Sequence, residues 1–173
     1  MIIYLIGARC SGKTSSGKIL SSMLGYKFID TDLYIQKEQG RSISQIIDKQ
    51  GWKFFREIES DCLNKISKMK NIVVSTGGGI IENPLNRKLM KNTGVSIWLK
   101  ADAHIILERM KSDDKSALMR PSLTELEEYE EINKILIERN PVYKKMALFS
   151  VDTGSVSISH VSDKIYGFLK KGE

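Results

Sequence analysis

Eight residues near the N-terminus, Gly7, Ala8, Arg9, Cys10, Ser11, Gly12, Lys13 and Thr14, fit the pattern G-x-x-x-x-G-K-[ST]. Gly7 and Gly12 permit backbone torsions that other residues resist. The loop can then turn its amide N–H groups inward, at the start of a helix whose dipole favours an anion. Lys13 can reach the β- and γ-phosphates of a nucleotide as a point charge, and the Thr14 hydroxyl can ligate Mg2+. Such a loop holds a triphosphate but leaves its destination open.

Three further groups of residues bear on that destination. Asp30 and Asp32 close an apolar run in "YKFIDTD". On extended backbone both carboxylates point the same way. One can hold Mg2+ through water while the other orients and deprotonates an acceptor hydroxyl. The same spacing also fits a plain turn with Asp32 as a helix N-cap. The "TGGG" string at 76–79 suits a backbone that approaches a ligand closely, or a flexible turn. Among the arginines, Arg56 has Glu59 three residues on, on the same helical face. Arg120 lies in "MRPS", and Arg139 in "ERNPVY" at a helix end that Pro141 enforces. Arginine's planar fork matches carboxylates and phosphates, although each of the three also reads as an ordinary surface residue.

These groups need a scaffold, and the chain alternates in the way that supplies one. Strands are expected at 2–6, 26–30, 71–75, 94–99 and 148–152. A helix is expected from Lys13 to Leu24 with Ile19, Leu20, Met23 and Leu24 on one face, and another over 32–50, interrupted near Gly40 with Ser42 as the new cap. Further helices fall at 52–68, with Phe55, Ile58, Cys62 and Ile66 inward, at 84–92, 102–110 and 124–139, and after Ile158. The segment 111–123 is polar and lacks periodicity. Alternating strands and helices predict an α/β sandwich around a mostly parallel sheet. Ligands then sit beyond the carboxyl ends of the strands, where the loop 7–14, the two aspartates and Gly77–Gly79 all fall.

Composition narrows the function classes. The 173 residues fit one domain, and 41% hydrophobic content can build its core. No apolar run approaches the roughly 20 residues of a membrane helix, and the apolar residues 2–6 are too short for a signal peptide. A cytoplasmic protein without membrane partners is the expectation. Cys10 and Cys62 are too few for a disulfide framework. Neither stands near His104 or His160 in sequence, which argues against a His/Cys metal site. The net charge of +6 comes from scattered lysines rather than a basic run interleaved with aromatics. It points to a solvated surface plus an anionic small ligand, not to nucleic acid.

In order, "GxxxxGKT", "DTD", "GRSI", "FRxIE", "GGG", "RP" and "RxPxY" resemble the shikimate kinases, over residues 7 to about 143. The resemblance implies a three-layer α/β/α P-loop fold of the nucleoside monophosphate kinase type, with a five-stranded parallel sheet in the order 2-3-1-4-5 and a mobile lid at about 111–123. The whole chain, 1–173, would be one kinase domain and mostly monomeric, with a substrate-binding region at about 32–61. ATP would phosphorylate the 3-hydroxyl of shikimate with Mg2+, a step of aromatic amino-acid biosynthesis. Arg56 and Arg139 would hold the shikimate carboxylate, and Gly78 and Gly79 would supply backbone amides. Asp32 would bind ring hydroxyls and act as base. Thr14 would hold Mg2+ directly and Asp30 through water. Arg120, on the lid, would meet the transferring phosphate, and Arg109 with the loop after Asp152 would lie near the adenine. The chain departs from the family at Cys10, where glycine is usual, and at "PSL" after Arg120, where "PLL" is common. A gluconate or nucleoside monophosphate kinase is the nearest alternative. A nucleotide-dependent switch is another, although the guanine-reading "NKxD" string is missing from the sequence.

Overall fold

A computed structural model describes residues 1–112 and 128–171. Arg120 and Ser122, with most of the expected lid, lie outside them. The chain runs β1 (Ile2–Ile6), α1 (Lys13–Leu24), β2 (Lys27–Asp30), α2 (Thr31–Gln39), α3 (Ile43–Ile66), β3 (Ile72–Ser75), a 3-10 turn (Ile80–Glu82), α4 (Pro84–Thr93), β4 (Val95–Lys100), α5 (Ala103–Ser112), α6 (Glu128–Met146), β5 (Phe149–Asp152) and α7 (Ile158–Lys171). The five strands are parallel in the order β2-β3-β1-β4-β5, as the family resemblance implies. None of the described helices is long and apolar enough to cross a membrane.

Strand alternation sorts the core into two layers. In β1, Ile2, Tyr4 and Ile6 face a cluster that includes Phe55, Leu63 and Ile66 of α3, Met90 of α4 and Tyr143 of α6. Ile3 and Leu5 face the opposite cluster, with Leu20 of α1 and Val161 and Ile165 of α7. All five β1 residues are buried, as a central strand covered on both faces requires.

Local signals set most boundaries. Gly40 ends α2 in the left-handed conformation, and Ser42 opens α3 with a reciprocal capping box to Gln45. Gly51 (φ 80°) breaks α3 into two segments, near the boundary expected at residue 52.

Four expectations need correction. The face of α1 that meets the sheet is Ser16, Gly17, Leu20 and Ser21, while Ile19 and Met23 are exposed. The helix lies too close for bulk: a Cβ on Gly17 would stand 2.6 Å from the Phe28 ring and 3.0 Å from Leu5 Cδ1. Pro141 does not end α6, which continues to Met146. The bond that Pro141 forgoes would have gone to the Ile137 carbonyl, on a residue 67% exposed where water can replace it. Buried Tyr143 anchors the continuation against Trp98, ring centroids 5.9 Å apart. Residues 111 and 112 belong to α5 rather than to a lid. Finally, Asp30, not Asp32, caps α2.

Candidate active site

The phosphate loop joins β1 to α1 at the carboxyl end of the sheet. Gly7 takes φ 144°, and a side chain there would overlap the Leu99 carbonyl of β4. Gly12 takes φ 90° and precedes α1 without any side-chain cap. Gly12 has no side chain with which to cap the first amides of the helix, which leaves that end suited to a bound anion. Lys13 is buried, and its Nζ donates to the carbonyls of Gly7 (3.0 Å) and Ala8 (2.5 Å). Cys10 is one of two non-glycine residues with positive φ among those described, at 55°. An L-residue there costs about 1–2 kcal/mol, a strain that glycine would avoid.

Beside the loop, oxygen donors converge. Thr14 Oγ1 donates to Asp30 Oδ2 at 2.7 Å and lies 3.1 Å from Ser75 Oγ. The other oxygen, Asp30 Oδ1, accepts the backbone N–H groups of Asp32 (3.0 Å) and Leu33 (3.2 Å). Capping α2 thus orients the carboxylate that faces Thr14. Two hydroxyls and one carboxylate are hard oxygen donors and fit Mg2+, which usually takes one or two carboxylates and keeps several waters. Among the described residues no group of three His, Cys, Asp or Glu could form a fuller metal cage. Asp32 does not point alongside Asp30 by strand alternation, because Thr31 already begins α2. It stands half-buried in the first helical turn. Buried Thr31 accepts from the Gly77 N–H at 2.9 Å, tying the head of α2 to the glycine turn.

Within the glycine turn, Gly79 is needed for space rather than for torsion, since its φ is −90°. A side chain on Gly79 would overlap the Arg56 guanidinium. A Cβ on Gly78 would stand 3.4 Å from the Gly7 carbonyl oxygen, 3.5 Å from Arg9 N and 3.6 Å from Arg139 Nη1. The turn is therefore pressed between the phosphate loop and two arginines. Arg56 Nη1 donates to Glu59 Oε2 at 2.7 Å, as the three-residue spacing suggested, and Glu59 is fully buried. The guanidinium lies 5.5 Å from the ring centroids of both Trp52 and Phe55. Arg56 Nη2 reaches Glu82 Oε2 at 3.3 Å, and Arg139 Nη2 pairs with Glu82 Oε1. Two arginines from separate helices thus meet on one carboxylate. They line a cleft of about 480 Å³ together with Trp52, Lys53, Glu82 and residues of α6, a volume within the range of small-ligand sites.

A chain running from residue 9 to residue 170 matches the model of one family, Shikimate kinase. This protein belongs to the shikimate kinase family. It is 42% identical over 171 residues to shikimate kinase 2 of Photorhabdus laumondii, covering 98% of this chain and 94% of that one. Its structure resembles the shikimate kinase from Acinetobacter baumannii in complex with shikimate, with TM-score 0.92, 30% identity and coverage of 99% and 94%. It also resembles the shikimate kinase of Aquifex aeolicus, with TM-score 0.84, 37% identity and coverage of 99% and 98%.

Against the family pattern, the structure brings Arg56, Arg139, Gly78 and Gly79 together, and Thr14 with Asp30. Arg109 lies apart. Its Nη1 donates to the Cys10 carbonyl and to Thr153 Oγ1, both at 3.2 Å, and its Nη2 to the Thr153 carbonyl. The loop after Asp152 therefore does meet Arg109 beside the phosphate loop.

Sequence reasoning missed Ser75, Thr31, Tyr143 and Glu82. Tyr143 Oη donates to the Gly78 carbonyl at 2.6 Å. Burial holds its phenol well above the usual range, so it stays a donor at any physiological pH. The "RxPxY" string contained Tyr143, but only the fold shows its partner. Glu82, just after the glycines, gave no signal.

Proposed function

We propose that the chain transfers the γ-phosphoryl group of ATP to the 3-hydroxyl of shikimate. The observation that carries the reading is the convergence of Arg56 and Arg139 on a carboxylate at the glycine turn, which abuts the phosphate loop. A planar carboxylate is what two guanidinium forks recognise. The Acinetobacter baumannii relative, whose structure is a complex with shikimate, supports this substrate.

The roles proposed here combine the site's geometry with the family pattern. Phosphoryl transfer passes through a loose transition state, so positioning and positive charge matter more than covalent chemistry. Lys13 exchanges the Gly7 and Ala8 carbonyls for the β- and γ-phosphate oxygens. The amides of residues 7–14 hold the phosphates from the other side. Thr14, Asp30 and Ser75 would hold Mg2+, Asp30 through water, and the ion neutralises charge on the phosphates when bound. Arg56 and Arg139 take the acid's carboxylate, and the amides of Gly78 and Gly79 add to that grip. Asp32 orients the acceptor hydroxyl and takes its proton. Arg109 and the Thr153 loop flank the nucleotide base, and Arg120 supplies charge to the transferring group. The residues from 1 to 173 act as one kinase domain in the cytoplasm.

An ADP-release assay with shikimate, gluconate, nucleoside monophosphates and no acceptor tests the reading. Release stimulated by shikimate is expected. Stimulation by gluconate alone would overturn it.

A further inference from the structure

Glu82 occupies the place where the acid should bind. Its two oxygens go to two different arginines, Oε1 to Arg139 and Oε2 to Arg56. A substrate carboxylate held by both guanidiniums would divide itself in the same way. The Glu82 backbone is fixed: its N–H donates to the Gly79 carbonyl at 3.0 Å, and its own carbonyl accepts from Arg87 Nη1 at 3.0 Å. Its side chain is not so constrained. It is 44% exposed, against 23% for Arg56, 14% for Arg139 and 0% for Glu59. Glu59 is a permanent buried counter-charge for Arg56, whereas Glu82 stands at the rim, where water can solvate its carboxylate once the arginines take another.

Two carboxylates cannot share this pair of guanidiniums. Like charges a few ångströms apart repel, and each would lose its best hydrogen bonds. We propose that Glu82 is a resident placeholder in the carboxylate subsite: the acid substrate displaces it on binding, and it returns as the product leaves. The inference rests on the functional reading above, that Arg56 and Arg139 take the acid. The exchange swaps one carboxylate for another, so the arginines give the acid much less net affinity than their contacts suggest. Glu82 thereby sets the acid's dissociation constant. It also keeps two cations from collecting stray anions, and it speeds release of a phosphorylated product that still bears its carboxylate.

The test is Glu82→Gln, which keeps size and shape and removes the charge. Thermal melting checks that the variant folds. Calorimetry then measures shikimate, its uncharged methyl ester and benzoate, a carboxylate probe without ring hydroxyls, on both proteins. The placeholder role expects shikimate and benzoate to bind about tenfold more tightly to the variant, with the ester changed by less than about twofold. Product inhibition should deepen in parallel. A static strut holding the arginines gives the opposite, weaker acid binding in the folded variant, and unchanged acid binding overturns the proposal as well. If the wild type binds benzoate and the variant binds it more tightly, yet neither takes shikimate, the placeholder stands and the functional reading falls. If neither protein binds either acid, both fall.

Discussion

The two halves of the site are built by different means. The phosphate half, from Gly7 to Thr14, is made of contiguous backbone: one strand end, two glycines with positive φ, and a helix start. The acid half is made of side chains brought from afar. Arg56 comes from α3, Glu82 from the 3-10 turn, and Arg139 and Tyr143 from α6. The first half is fixed by local torsions. The second depends on an ion-pair network of Arg56, Glu82 and Arg139. A backbone cradle can bind the same phosphates in many proteins, whereas a wall assembled from distant side chains can differ from one protein to the next.

Substitutions can separate the halves. Asp32→Asn should lower kcat by about 10³-fold through loss of general-base chemistry, while ATP binding measured by calorimetry stays near normal. Near-normal turnover would remove Asp32 as base and positioner. Arg139→Ala should weaken the acid by about tenfold, the low end for a charged hydrogen-bonded contact because Glu82 already holds Arg139 in the free protein, with ATP changed much less; equal loss of both would show that the halves are coupled. Gly79→Ala should raise the KM for the acid about tenfold, since its methyl group would push the Arg56 guanidinium aside. An unchanged KM would mean that Arg56 can shift without consequence.

Smaller effects probe the supports. Tyr143→Phe leaves the buried Gly78 carbonyl without its 2.6 Å donor. It should cost about 1–3 kcal/mol in urea unfolding, with a rise of a few fold in the acid's KM and none in that of ATP. Cys10→Gly tests the phosphate half. Relief of the left-handed strain, about 1–2 kcal/mol, is opposed by the entropy of a new glycine, about 0.5–1 kcal/mol. Unfolding stability should therefore stay within about 1 kcal/mol of the wild type; a larger loss would show that the thiol's packing near Ala8 and Ala103 matters.

This contrast also explains what could be read from the sequence. The cradle and the capping box at Ser42 are local, so spacing alone reveals them. Arg56 and Glu59 stand one turn apart, and their pairing was legible. Asp30 and Asp32 were visible as a pair, but their relation depends on whether Thr31 extends the strand or starts a helix, and alternation cannot decide that. The apolar periodicity of α1 misled, because a helix packed closely on a sheet turns Gly17 and its serines inward. Pro141 marked an end that Tyr143 overrides by packing. The partner of Tyr143 lies 65 residues away, and nothing near Glu82 reports that two arginines will reach it.

One buried contact has a wider consequence. The Thr31 hydroxyl fastens the aspartate-bearing turn to Gly77 at the head of the glycine turn. Asp30 and Asp32 flank Thr31 on that turn, so its slack would carry into both carboxylates, and a misplacement of about 1 Å in a catalytic group can cost about 10²-fold in rate. A single buried hydroxyl thus holds the turn that carries both aspartates in register with the glycines.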